Sequence, residues 1–192
     1  RIFCDVERFS DDNQEPMSKS GMGMCYTHFD NGNEMRLVSP DLRRRIKNEY
    51  YDDHHKNLEI MTDKALVNYG RAIIIDCHSF PDTPLNRDLD KTVPRPDFCI
   101  GTDNFHTSAR LQEISGSFLR IDGFQVNLNK PYSGTIIPMK HFRRNENVYG
   151  IMIEVNRRLY MESVSGVIMK NKKFEDIRNT IKWLICQIRD CF

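Results

Sequence analysis

Two short apolar runs, Ala72-Ile73-Ile74-Ile75 and Ile151-Met152-Ile153, constrain this chain more than any other feature. Both read as buried strands, because a continuous apolar run of this length, rich in β-branched residues, is what a strand covered on its two faces looks like. The spacing extends them to residues 71–77 and 149–155, and adds strands at 1–7, 98–100 and 124–128. Helical periods lie between. Ser39-Pro40-Asp41 offers an N-cap, a proline at the first helical position and an acid in the first turn. Leu42, Ile46, Tyr50, Leu58, Met61 and Ala65 then recur at helical spacing up to Gly70. A second helix is expected over 107–119 with Leu111, Ile114 and Phe118 on one face, and a third from Phe174 with Ile177, Ile181, Leu184, Ile185 and Ile188 in one stripe. Strands alternating with helices imply an α/β fold with a mixed, largely parallel central sheet flanked by helices. The 192 residues, 39% of them hydrophobic, suffice for the core of a single domain spanning 1–192.

The formal net charge is +1, so no global field recruits nucleic acid or a membrane surface, and the basic clusters at 43–45 and 170–173 read as solvated helix faces. No apolar segment approaches the roughly 20 residues a membrane span needs. Six cysteines without CxxC spacing favour a reduced, cytoplasmic protein. Oligomeric state is not legible.

The chemistry concentrates at strand ends. Asp76-Cys77-His78-Ser79 closes the first apolar run. Asp76 and His78 are two apart on a strand, so they project to one face, where a carboxylate can fix the tautomer of a ligating imidazole. His78 as a loop-capping group is the structural alternative. Glu154 sits inside Gly150-Ile151-Met152-Ile153-Glu154-Val155, where an ionised carboxylate is expensive to bury unless it is paired or used. It is either a general base facing an activated water or the partner of Arg157 or Arg158. The segment 81–96 carries four prolines and reads as a long loop of the kind that usually has work to do.

Six motifs in order resemble the N-formylglutamate amidohydrolases: Asp5-Val6-Glu7-Arg8; Tyr51 with His54-His55; Asp76-Cys77-His78-Ser79; Pro96-Asp97 with Ile100-Gly101-Thr102-Asp103; Asn129-Lys130-Pro131-Tyr132-Ser133-Gly134; and Glu154-Val155-Asn156-Arg157-Arg158-Leu159-Tyr160-Met161. The resemblance covers nearly the whole chain. It implies a zinc carboxypeptidase-like fold, zinc as cofactor, and hydrolysis of the amide C–N bond of an N-formyl or N-acyl amino acid such as N-formylglutamate. His78 matches the family's later zinc-ligating histidine, and Glu154 matches the carboxylate that activates water.

A His-Gly-type zinc motif is expected ahead of Arg1, so the resemblance also implies a chain truncated at its N-terminus. His54 and His55, neighbours on a helix, point about 100° apart and are poor substitutes. An acidic substrate calls for guanidinium groups, and Arg1 and Arg8 are the candidates. Arg8 matches the family's Asn-Arg position with Glu7 in place of the asparagine; its structural alternative is an ion pair with Asp11 or Asp12. Asn129 and Tyr132 are candidate pocket residues, and His106 is expected only to start a helix. The partner implied is a small acidic N-acyl amino acid or peptide. A small-peptide amidase of the same fold and a non-catalytic binding domain that has lost its metal are the alternatives.

Overall fold

The apolar stripe of the C-terminal helix, α4 (Phe174–Cys191), has its partners on a four-stranded sheet in the order β1-β4-β2-β3. The strands are β1 (Ala72–Phe80), β2 (Phe98–Gly101), β3 (Val126–Leu128) and β4 (Val148–Asn156). β1 runs parallel to β4 and β2 parallel to β3, while β2 and β4 are antiparallel, so the sheet is mixed and mostly parallel. The computed structural model describes residues 2–192. They form two compact units, one reaching to Tyr69 and taking in Leu85–Asp88, the other made of Gly70–Pro84 and Leu89–Phe192.

In the second unit, strict alternation along β4 sends Ile151, Ile153 and Val155 to one face, where they pack with Phe98 and Ile100 of β2. Leu111 and Leu119 of α3 (Ala109–Ile121) and Ile177, Leu184 and Ile188 of α4 close that core. Ser108 caps α3 by accepting a hydrogen bond from the Leu111 amide at 3.1 Å. The opposite face carries Asp76, His78, Glu154 and Cys99, and the segment after β3 folds against it. A Cβ placed on Gly150 would come within 2.6 Å of Ile137 and 2.8 Å of Thr135, so only glycine admits that close approach. A two-stranded hairpin, β5 (Met161–Val164) and β6 (Val167–Lys170), joins the sheet to α4 and had no counterpart among the expected strands.

In the first unit the expected helix exists but is interrupted. α1 (Pro40–Ile46) passes through a π-helical turn at Lys47–Tyr51 into α2 (Asp52–Tyr69). The wider turn inserts a residue into the ladder and rotates everything after it. Ile46 is buried as expected, but Tyr51 replaces Tyr50, and Thr62 replaces Met61, which is 71% exposed. The strand expected over 1–7 is corrected: none forms among residues 2–7. Asp5 explains why. Its carboxylate accepts the Glu7 amide at 3.3 Å while its carbonyl accepts the Arg8 amide, so the chain turns where a strand would continue. Among the described residues no helix is long and apolar enough to cross a membrane.

The long loop after β1 is pinned at both ends by one fully buried amide. Asn156 Nδ2 donates to Asp82 at 2.9 Å and to the Pro96 carbonyl at 3.0 Å, and its Oδ1 accepts the Arg158 amide at 3.1 Å. Asn156→Ala should lower stability by about 1–3 kcal/mol through the buried carbonyl left without its donor. Urea unfolding measures the loss, and limited proteolysis should show earlier cleavage between Pro81 and Pro96. An unchanged unfolding midpoint would mean the loop is held elsewhere.

Candidate active site

His78 belongs to the strand itself, which continues three residues past the expected stop. In the parallel ladder His78 is the register partner of Glu154, and across the antiparallel pairing Cys99 is the other partner of Glu154. Paired positions on adjacent strands put their side chains on the same face, so an imidazole, a carboxylate and a thiol stand in one row. One step back on that face, Asp76 Oδ1 lies 2.8 Å from His78 Nε2, and both side chains are about nine-tenths buried. The pairing expected from their spacing is therefore realised.

Glu154 is 7% exposed. Its two expected alternatives at the strand exit are occupied by other groups. Arg158 donates to Asp82 and to Asp97, each at 2.8 Å, and Arg157 donates to the Ser79 hydroxyl at 3.2 Å and carbonyl at 3.1 Å. Burial pushes the neighbouring Cys99 thiol up to about 11, with the Glu154 charge adding to the rise. The thiol donates to the Tyr132 carbonyl at 3.2 Å and stays protonated at neutral pH. It is a packing group here and not a nucleophile.

That shift has a consequence for stability. The unfolded thiol ionises near its ordinary value of 9.0 and the folded one near 11, so the Cys99 contribution is fully present below pH 9 and is lost as pH rises toward 11. Urea midpoints at pH 8 and pH 10.5 should therefore fall further for the native protein than for Cys99→Ala. Equal falls would remove the linkage.

Tyr132 reaches the same face from the segment after β3, its ring edge-on to Phe80 of β1 with centroids 5.6 Å apart. Asn129 is placed differently. Its Oδ1 accepts the Thr102 amide and its Nδ2 donates to the Thr102 hydroxyl, both at 2.8 Å, so its carboxamide ties the end of β2 to the end of β3. Its left-handed φ of 55° suits asparagine at such a turn. Arg8 lies in the first unit. Its guanidinium approaches Asp5 at 3.4 Å and Glu15 at 3.8 Å, so the ion pair expected with Asp11 or Asp12 is corrected to these two. Arg1 lies outside the described residues.

Of the other histidines named from the sequence, His55 and His106 have structural partners. His55 Nε2 donates to the Val6 carbonyl at 2.7 Å, and burial lowers its basicity so that the ring is neutral at pH 7. His54 beside it is exposed, its ring at 85° to that of His55. His106, expected only at a helix start, is instead 1% exposed and clamps the sheet: Nδ1 donates to the Val148 carbonyl and Nε2 accepts the Arg143 amide. Sequence reasoning also missed Arg95, which is 1% exposed. The four prolines around it announced a loop and gave no sign that a guanidinium would turn inward.

The family model of the N-formylglutamate amidohydrolases matches residues 1–161. The chain belongs to that family. It is similar to the N-formylglutamate amidohydrolase of Ralstonia eutropha, with a TM-score of 0.82 and 23% identity over 98% of this chain and 72% of that one. It is also similar to a gene product of Agrobacterium tumefaciens, with a TM-score of 0.62 and 15% identity over 100% of this chain and 67% of that one. At these identities the two structures speak for the fold. No curated protein matches the chain.

Zinc, the metal expected of this chain, takes imidazole nitrogen and carboxylate oxygen at about 2.0–2.2 Å. His78 Nε2 and Asp76 Oδ1, 2.8 Å apart on one rigid strand, are donors of that kind, near enough to reach a single ion. The pair fits zinc as part of a donor set.

Proposed function

We propose that this member of the N-formylglutamate amidohydrolase family hydrolyses the amide bond of an N-formyl or N-acyl amino acid of acidic character. The observation that carries the reading is the register pairing of His78 with Glu154 on the face opposite the apolar core. Zinc would be held by His78 with Asp76, and when bound it would polarise the scissile carbonyl and make a water acidic enough to react near neutral pH.

The rest falls to side chains. Glu154 holds a carboxylate where little water competes for it, and takes the proton from the attacking water before returning it to the departing amine. β1 holds Asp76 and His78 together without loop freedom. Tyr132 presents a hydroxyl to an oxygen of the substrate.

The test is a direct one. The zinc-loaded protein should release formate and glutamate from N-formylglutamate, followed by enzymatic formate detection. N-acetylglutamate and a small acidic peptide mark the limits of acyl choice. Binding of N-formylglutamate without turnover in zinc-replete buffer would sink the hydrolase reading in favour of a binding domain.

A further inference from the structure

Cys4 and Cys25 stand on two segments of the first unit that are fastened to each other on either side of them. On one side the Asp5 amide donates to the Met24 carbonyl at 2.8 Å. On the other a single guanidinium spans the gap: Arg36 Nε donates to the Tyr26 carbonyl at 2.8 Å, and its Nη2 donates to the carbonyls of Ile2 and Phe3 at 2.9 and 2.8 Å. Going back along one segment from Asp5 to Phe3 therefore goes forward along the other from Met24 to Tyr26, as in an antiparallel pair. Cys4 and Cys25 are the residues between. Both side chains go to the same place. Cys25 is 3% exposed in a core cluster with Met24, Ile46 and Tyr51, and Cys4, half-buried, packs against that cluster.

A disulfide needs α-carbons within about 7 Å and side chains that face one another. Residues opposed across an antiparallel pair lie about 4.5–5.5 Å apart, inside that range. Both cysteines are free thiols. We propose that Cys4 and Cys25 are an oxidisable dithiol, which closes to an internal disulfide by exchange with a small disulfide such as glutathione disulfide. Cys4, the less buried of the two, attacks one sulfur of the small disulfide as its thiolate; that S–S bond breaks, and one glutathione leaves and takes up the proton Cys4 gave. The Cys25 thiolate then attacks the Cys4 sulfur of the mixed disulfide, and the second glutathione leaves with the proton of Cys25. Two protein thiols are oxidised, and one glutathione disulfide is reduced to two glutathiones. Burial pushes both thiols above their ordinary range, so the pair is set apart by its placement and not by its acidity. Closure ties residues 2–6 to residues 22–26 and removes freedom from the unfolded chain. None of this depends on hydrolysis.

The experiment incubates the reduced full chain with glutathione disulfide, alkylates the thiols that remain and digests with trypsin without reduction. Glutathione disulfide spares the nine methionines, which a peroxide would attack. Cleavage after Arg1, Arg8, Lys19 and Arg36 puts the two cysteines on separate peptides, 2–8 and 20–36. These should appear joined, about 2 Da lighter than the two together, for the two hydrogens lost. Cys25→Ser should instead leave peptide 2–8 carrying one glutathione, and Cys4→Ser should give no link. The urea midpoint of the wild type should rise on oxidation, and that of Cys4→Ser should not. If Cys25→Ser does not fold, the wild-type map and Cys4→Ser, changed at the less buried position, carry the test. Either cysteine joined to a different one overturns the proposal. So does a wild type in which peptide 2–8 carries glutathione without the link, or in which both peptides are recovered alkylated.

Discussion

Glu154→Gln should lower the hydrolytic rate by about 10²–10⁴-fold, the usual worth of a positioned general base. Glutamine preserves the size of the side chain and its capacity to accept a hydrogen bond, but has no basic oxygen to take a proton from water. The residue lies between register partners in two neighbouring strands, so the isosteric change leaves the ladder and its packing in place. Zinc content should stay unchanged, because the proposed ligands lie on β1. The measurement pairs kcat on N-formylglutamate with zinc analysis of the same sample. Near-normal turnover would leave Glu154 a structural carboxylate and the reaction without a base.

His78→Ala should instead remove metal and activity together, since a ligand serves both. Asp76→Asn separates the second contribution: it keeps the imidazole but replaces the charged partner at 2.8 Å with a neutral one. Loss of that negatively charged donor should weaken zinc binding while leaving the imidazole ligand in place. Competition against a chromophoric chelator reads both variants without any assay of activity, and circular dichroism confirms that the sheet persists. Wild-type zinc affinity in His78→Ala would refute the ligand assignment.

Apart from the β5–β6 hairpin, the element types of the second unit were legible because their signals are local. A β-branched run, a helical stripe or a serine before a helix acts through neighbours within a few residues, and β4, α3 and α4 appear within one or two residues of where periodicity puts them. The chemical identity of the site was legible for the same reason: Asp76 and His78 are two apart on a strand, and Glu154 is conspicuous as a carboxylate in an apolar run.

What escaped depends on contacts distant in the chain or on backbone geometry that side-chain type does not encode. The N-terminal strand failed because Asp5 spends its carboxylate and carbonyl on the amides of Glu7 and Arg8, a local competition that alternation does not register. The helix over 40–69 was found, but its buried face after Lys47 was not, since one π-helical turn shifts every later residue. Arg95 drew no reading from the sequence, because the Tyr132 and Phe80 contacts that bury it come from distant parts of the chain.

By itself, then, the sequence determined an α/β chain with a mostly parallel mixed sheet and the residue types of its site, because periodicity and burial cost are properties of short segments. Only the tertiary structure decided that β1 extends to Phe80 and pairs with β4 so that His78 stands beside Glu154. Register is set by a ladder between segments more than seventy residues apart, and a slip of one residue would have sent one of the two to the apolar core.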